Sequence, residues 1–165
     1  MVSELIDVTL SVNGTEQILK IEPRTLVVEL LRDTLGLTGT HVGCDTTQCG
    51  CCIVSLDGRM VKSCTVLVAQ ADGHRIHTIE SLQLDESTLH PMQQAFVDNH
   101  ALQCGYCTPG MIMSAVGIAE RHGLPDEETV RLELDGNLCR CTGYANIVKA
   151  VVDGAQRMHE LAEQA

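Results

Sequence analysis

Gly43-Cys44-Asp45-Thr46-Thr47-Gln48-Cys49-Gly50-Cys51-Cys52, followed eleven residues later by Cys64, is the stretch on which the rest of the chain is mounted. Four of its cysteines, Cys44, Cys49, Cys52 and Cys64, stand as C-x4-C-x2-C with a distant fourth. Four soft, anionic sulfurs are what a [2Fe–2S] cluster requires, two for each iron. A short loop wraps such a group only if its backbone turns sharply and comes close. Gly43 and Gly50 supply that freedom, because glycine has no Cβ and tolerates positive φ. Cys51 is a spare thiol in this reading, packed as a small apolar residue.

Working outward, Val8-Thr9-Leu10-Ser11-Val12 and Gln17-Ile18-Leu19-Lys20-Ile21 alternate apolar and polar residues around Asn13-Gly14, a strong hairpin signal. From Thr25, a candidate N-cap, Leu26, Val27, Leu30, Leu31 and Leu35 form a helical apolar face that Gly36 stops. After the cysteine loop, Ile53–Leu56 and Met60–Cys64 make a second hairpin around Asp57-Gly58, with Arg75–Ile79 a closing strand. The returning strand thus brings Cys64 back beside the first three cysteines. Residues 1–80 therefore read as an α+β domain with one helix across a small sheet. Residues 81–90 read as a linker.

Beyond the linker the pattern is helical. Pro91 to Asn99 is a short helix. Thr108, as N-cap, and Pro109 open a second helix to Arg121. Pro125-Asp126-Glu127-Glu128 opens a third, and a longer one runs from Tyr144 toward Glu163. Residues 91–165 thus form an all-α, four-helix domain. Here lies the second cysteine set. Cys104-Gly105-Tyr106-Cys107 and Cys139-Arg140-Cys141 each precede a helix start, and thirty-one residues separate them, room for one helix out and one back. Facing helix N-termini would offer free N–H groups and positive dipole ends to a thiolate-ligated cluster.

Composition fits this picture. The chain has 165 residues, nine cysteines and a formal charge of -11, with two Tyr, one Phe and no Trp. An acidic surface with few aromatics argues against nucleic acid, because nothing meets phosphates or stacks on bases. No apolar run approaches a membrane span, and the N-terminus shows no secretory signal, so a cytoplasmic location is expected. Tight cysteine clusters in such a chain bind metal more often than they form disulfides. Two structural zinc ions are an alternative for eight cysteines, but zinc needs paired knuckles and the first set has none. His41 reads as a loop hydrogen-bonding residue rather than a ligand, and the other histidines are scattered.

The two sets in this order resemble the iron–sulfur subunit of the molybdenum hydroxylases, the xanthine oxidase family, of the bacterial three-subunit type. The stretches that carry the resemblance are Leu37-Thr38-Gly39-Thr40-His41-Val42-Gly43-Cys44, Cys104-Gly105-Tyr106-Cys107-Thr108-Pro109-Gly110-Met111 and Gly136-Asn137-Leu138-Cys139-Arg140-Cys141-Thr142-Gly143-Tyr144. The match covers nearly the whole chain. It implies a plant-type ferredoxin-like (β-grasp) N-terminal domain, then a four-helix-bundle domain, each with one [2Fe–2S] cluster. It implies electron transfer from molybdopterin on a large subunit to FAD on a medium subunit, in a dimer of heterotrimers. By the same resemblance Cys44, Cys49, Cys52 and Cys64 hold the cluster nearer the flavin. Cys104, Cys107, Cys139 and Cys141 hold the one nearer the molybdopterin, and Gln103 and Cys141 touch the pterin. Gly43, Gly50, Gly105 and Arg140 belong to the cluster loops. Cys51 departs from the family's usual small residue. A free-standing ferredoxin is the competing reading, but a lone shuttle needs only the first cluster.

Overall fold

A computed structural model describes residues 4–83, 85 and 87–164. Positions 84 and 86 of the expected linker, and the ends 1–3 and 165 of the two expected domains, lie outside the described residues. The first hairpin forms where the alternation places it. Strands β1 (Ile6–Val12) and β2 (Thr15–Ile21) pair antiparallel from Ile6↔Ile21 to Val12↔Thr15. Asn13 and Gly14 turn with φ of 51° and 80°, the positive values that a two-residue hairpin needs. Strands β3 (Ile53–Leu56) and β4 (Arg59–Lys62) form the second hairpin. Strand β5 (Arg75–His77) lies parallel to β1 and antiparallel to β3, giving the sheet order β2-β1-β5-β3-β4. Val8, Leu10, Val12, Val54 and Ile76 leave its inner face and pack with Val27, Leu30, Leu31 and Val68.

Two expectations for this half need correction. The helix expected from Thr25 is a single α-turn, α1 (Val27–Glu29), that widens into a π-turn over Leu30–Thr34. Thr25 is not its N-cap. Leu26 stays extended to bridge Leu67, and its amide donates to Glu29 Oε2 at 2.8 Å. The turn widens where Leu35 N–H reaches Leu30 O, five residues back, at 2.9 Å. Cys64 is also not on a strand. Strand β4 ends at Lys62, and Ser63–Thr65 make a short helical turn. Ser63 donates both its amide and its hydroxyl to Cys52 O, at 3.1 and 2.7 Å, which ends the strand beside the ligand loop.

The second half holds α2 (Pro91–Asp98), α3 (Thr108–His122), α4 (Glu127–Glu133) and α5 (Ala145–Glu163). Thr108 is the first residue of α3 rather than its cap, which is Cys107, and Asp126 caps α4 by accepting from Thr129 N–H at 2.8 Å. Met92, Phe96, Met111, Ala115, Ile118, Val130, Ile147 and Val151 form a separate core. The α5 face is built by Ile147, Val148 and Val151, spaced i, i+1, i+4. The two cores meet along α3, the most buried helix, which lies against β3 and β4, and Met60 of β4 packs into the helical core. This seam fixes the first cysteine loop against the second.

Candidate metal centres

The first set is built by a loop between the π-turn and β3, closed by the turn after β4. Cys49 and Cys52 are buried and Cys44 and Cys64 are partly covered. Cys49 N–H donates to Cys44 Sγ at 3.4 Å. Amides of Cys49, Thr46 and Gln48 surround that sulfur, the Cys49 amide most strongly, and hold the Cys44 thiol down at about 6. This half of the loop is thus built for a thiolate. Cys64 behaves oppositely. Burial first, then its bond to Cys52, pushes it up to about 12. In the first set Cys44 therefore lies beside Cys49 and Cys64 beside Cys52, with Cys51 also against Cys49. The Lys62 ammonium donates to Thr47 O at 2.8 Å and places a positive charge against the loop.

The second set is also paired. Cys104 and Cys141 are exposed, with their sulfurs 3.6 Å apart. The Cys104 contact is the main reason the Cys141 thiol is raised. Cys107 lies beside Cys139, and burial followed by that neighbour pushes Cys107 up to about 12. Burial works against the Cys139 thiolate, but the Thr142 hydroxyl and amide outweigh it and lower that thiol; they approach its sulfur at 3.2 and 3.5 Å. Two facing helix N-termini were expected, and the structure provides one. Cys107 caps α3 directly, but Thr142, Gly143 and Tyr144 separate Cys141 from α5, so loop amides serve Cys139 instead. Tyr144 enters α5 at φ 71°, and its hydroxyl accepts from Cys139 N–H at 2.8 Å and donates to Asn137 O at 3.1 Å.

The two loops touch. Leu138 N–H donates to Cys49 O at 2.8 Å, which links the residue before Cys139 to a cysteine of the first set. Gly50 (φ 74°) and Gly110 make that approach possible. A Cβ on Gly50 would lie 2.6 Å from Gly136 O, and one on Gly110 would lie 2.9 Å from Cys51 Cα. A Cβ on Gly43 would come within 3.0 Å of Cys51 Sγ and 3.2 Å of Cys49 Sγ. Gly105 has φ 83°, with no protein atom within 4 Å of where its Cβ would stand. Gln103 and Arg140 are exposed beside Cys104 and Cys141. Cys51 is buried and sits among Cys49, Cys52 and Cys107; burial first, then a bond to Cys49, pushes its thiol up to about 12. Cys64 and Cys107 are raised as far by burial, so it is the C-x4-C-x2-C spacing that sets Cys51 apart from the ligand candidates. Asn137, Tyr144 and Lys62 were not legible as site residues. Asn137 comes closest, as a buried amide in an otherwise ordinary glycine turn.

Among the described residues no three Cys, His, Asp or Glu side chains close on a single ion. Eight thiols gathered two by two are instead the donor set of two-iron clusters, which take two thiolates per iron. Thr108 Oγ1, next to Cys107, is buried without a hydrogen-bond partner among the described residues, a donor that a cluster sulfur would satisfy. The residues present therefore fit such a group.

Residues 10–79 match the 2Fe-2S iron-sulfur cluster binding domain family, and residues 78–152 the [2Fe-2S] binding domain family. The beta subunit of the 6-hydroxypseudooxynicotine dehydrogenase complex of Paenarthrobacter nicotinovorans is 49% identical over 88% of this chain and 91% of its own. The gamma subunit of caffeine dehydrogenase from Pseudomonas sp. (strain CBB1) is 46% identical over 87% of each chain. The chain belongs to the small iron–sulfur subunits of the molybdenum hydroxylases. In fold, the small subunit is similar to a chain of quinoline 2-oxidoreductase from Pseudomonas putida 86, with a TM-score of 0.91, 40% identity and 99% of both chains covered. The ferredoxin-like domain and the helical [2Fe–2S] domain are as expected. The small subunit is an electron-transfer component of an oxidoreductase. It passes electrons from a molybdopterin centre, through two [2Fe–2S] clusters, to FAD on a partner subunit.

Proposed function

We propose that Cys44, Cys49, Cys52 and Cys64 ligate the cluster on the flavin side, and Cys104, Cys107, Cys139 and Cys141 the cluster on the molybdopterin side. The carrying observation is the thiol pairing, two and two in each set, with the sets joined through Leu138 and Cys49. The clusters supply one-electron steps, and the chain supplies position and potential. Amides on Cys44 and Cys139 stabilise the anionic sulfurs, and the Lys62 ammonium offsets negative charge at the first loop.

Exposure sets the direction. Cys104 and Cys141 form the open end of the second set, with Gln103 and Arg140 around them. Val42, Leu102, Tyr106 and Leu138 are exposed apolar residues of these same loops or of positions flanking them. We assign this end to the large molybdopterin subunit, with Gln103 and Cys141 in pterin contact, and the Cys44–Gln48 side to the medium FAD subunit. The functional units are residues 1–80 and 91–165, joined by the 81–90 linker. The assembly is a dimer of heterotrimers in the cytoplasm. Among the described residues no helix is long and apolar enough to cross a membrane.

Cys44→Ser and Cys107→Ser in the co-expressed complex test the ligand assignment. Each is expected to remove one reduced-cluster EPR signal and leave the other. Removal of the same signal by both would overturn it. Copurification of molybdenum and FAD with the wild-type chain tests the assembly.

A further inference from the structure

The two cysteine loops are held together by a second contact that the ligand assignment does not use. His41, three residues before Cys44, stacks on Tyr106, which stands between Cys104 and Cys107; their ring centroids are 4.6 Å apart and the planes 22° from parallel. His41 Nδ1 donates to Tyr106 O at 2.8 Å, since a carbonyl only accepts. Tyr106 OH donates to Val42 O at 2.7 Å. Each side chain therefore grips the backbone of the other loop. His41 grips it next to Cys107, and Tyr106 grips it next to Gly43 and Cys44.

We propose that His41 and Tyr106 are positioning residues, a reciprocal clasp that sets the distance and orientation between the two clusters. This rests on the ligand assignment above. The second set has two halves, and each is tied to the first loop separately. The Cys139–Cys141 half is tied by the Leu138 amide to Cys49 O. The Cys104–Cys107 half is tied by the clasp. Beside the packing of α3 against the first loop, these two polar ties hold each half of the second set at its own point. Electron transfer between the clusters depends steeply on their separation, so a fixed geometry serves the chain's function directly. Both rings are partly solvent-exposed, and nothing in the apolar cores needs them.

The test uses the cluster-loaded protein and three variants. Tyr106→Phe keeps the stack and loses the bond to Val42 O. His41→Phe keeps a ring and loses the bond to Tyr106 O. Tyr106→Leu loses the stack and the hydroxyl. The readout is the magnetic interaction between the two reduced clusters, seen as EPR splitting or as faster relaxation of one signal, together with iron content. The expected result is wild-type iron in Tyr106→Phe and His41→Phe with a weakened interaction, and the largest loss in Tyr106→Leu. An interaction unchanged in Tyr106→Phe and His41→Phe would overturn the clasp. So would loss of the second cluster from Tyr106→Phe, because the pair would then support cluster retention rather than spacing. Absence of two signals in the wild type would instead overturn the ligand assignment.

Discussion

Gly110→Ala tests whether the seam between the two cysteine loops is as tight as the geometry requires. Gly110 lies in the first turn of α3, buried, where it faces the backbone of the first loop. An alanine Cβ there would meet Gly50 O and come within 2.9 Å of both Cys51 Cα and Cys51 C. These are backbone atoms, so no side chain can swing aside. Ordinary contact begins at 3.4 Å, so the loop must retreat by about 0.5 Å or more. Overpacking of this kind costs about 1–3 kcal/mol, and backbone obstruction belongs at the upper end. Helix propensity works the other way, since alanine is favoured over glycine by about 1 kcal/mol. The net effect is a loss of about 2 kcal/mol. For a chain of this size that lowers Tm by about 4–8 °C. The assay is thermal loss of cluster absorbance at one fixed scan rate, because cluster loss is irreversible. Gly117→Ala in the same helix is the control. Its Cβ would meet Met60 Cγ, part of a flexible side chain that can move, so its loss should be less than half as large. A Gly110→Ala protein melting at or above the wild type would refute the reasoning, because propensity would then have outweighed the seam.

Tyr144→Phe removes the acceptor for the Cys139 amide and the donor to Asn137 O, and is expected to cost about 1–3 kcal/mol and to speed loss of the second cluster to a chelator. Cys51→Ala is expected to keep both EPR signals and full iron, whereas Cys52→Ala loses the first signal; the reverse pattern would make Cys51 the ligand. The Asp57 carboxyl is held down to about 2, first by the His74 imidazole and then by the Arg75 amide. Because its folded value lies below its ordinary 3.8, the stability it adds is present above about pH 4 and fades as pH falls toward 2. The Tm gap between wild type and Asp57→Asn should therefore narrow on acidification from pH 5 to pH 3; a gap that widens would contradict the assignment.

Much of the fold was legible because the signals were local. Asn13-Gly14 and Asp57-Gly58 specify their hairpins by positive φ alone, α2 and α3 follow from apolar spacing and proline at the start, and α5 from apolar spacing. The failures have tertiary causes. Thr25 carried a sound capping signal, but Leu26 is held extended by its bridge to Leu67, which delays and shortens the helix. Thr108 lost its capping role to Cys107, whose position is set by the loop it terminates. At the site, spacing separated the ligand candidates from Cys51, but it could not show the partners that orient them. Asn137, Tyr144 and Lys62 act through contacts 5 to 27 residues away in sequence, and the His41–Tyr106 pair spans 65. Such contacts form only once the loops have taken their folded shape.

The most direct test of the central claim, that this chain carries two [2Fe–2S] clusters in two four-thiol sets, is iron and acid-labile sulfide content measured with EPR of the dithionite-reduced protein. About four irons, about four sulfides and two distinguishable reduced signals per chain are expected. Zinc without an EPR signal, or one signal with half the iron, would contradict the claim.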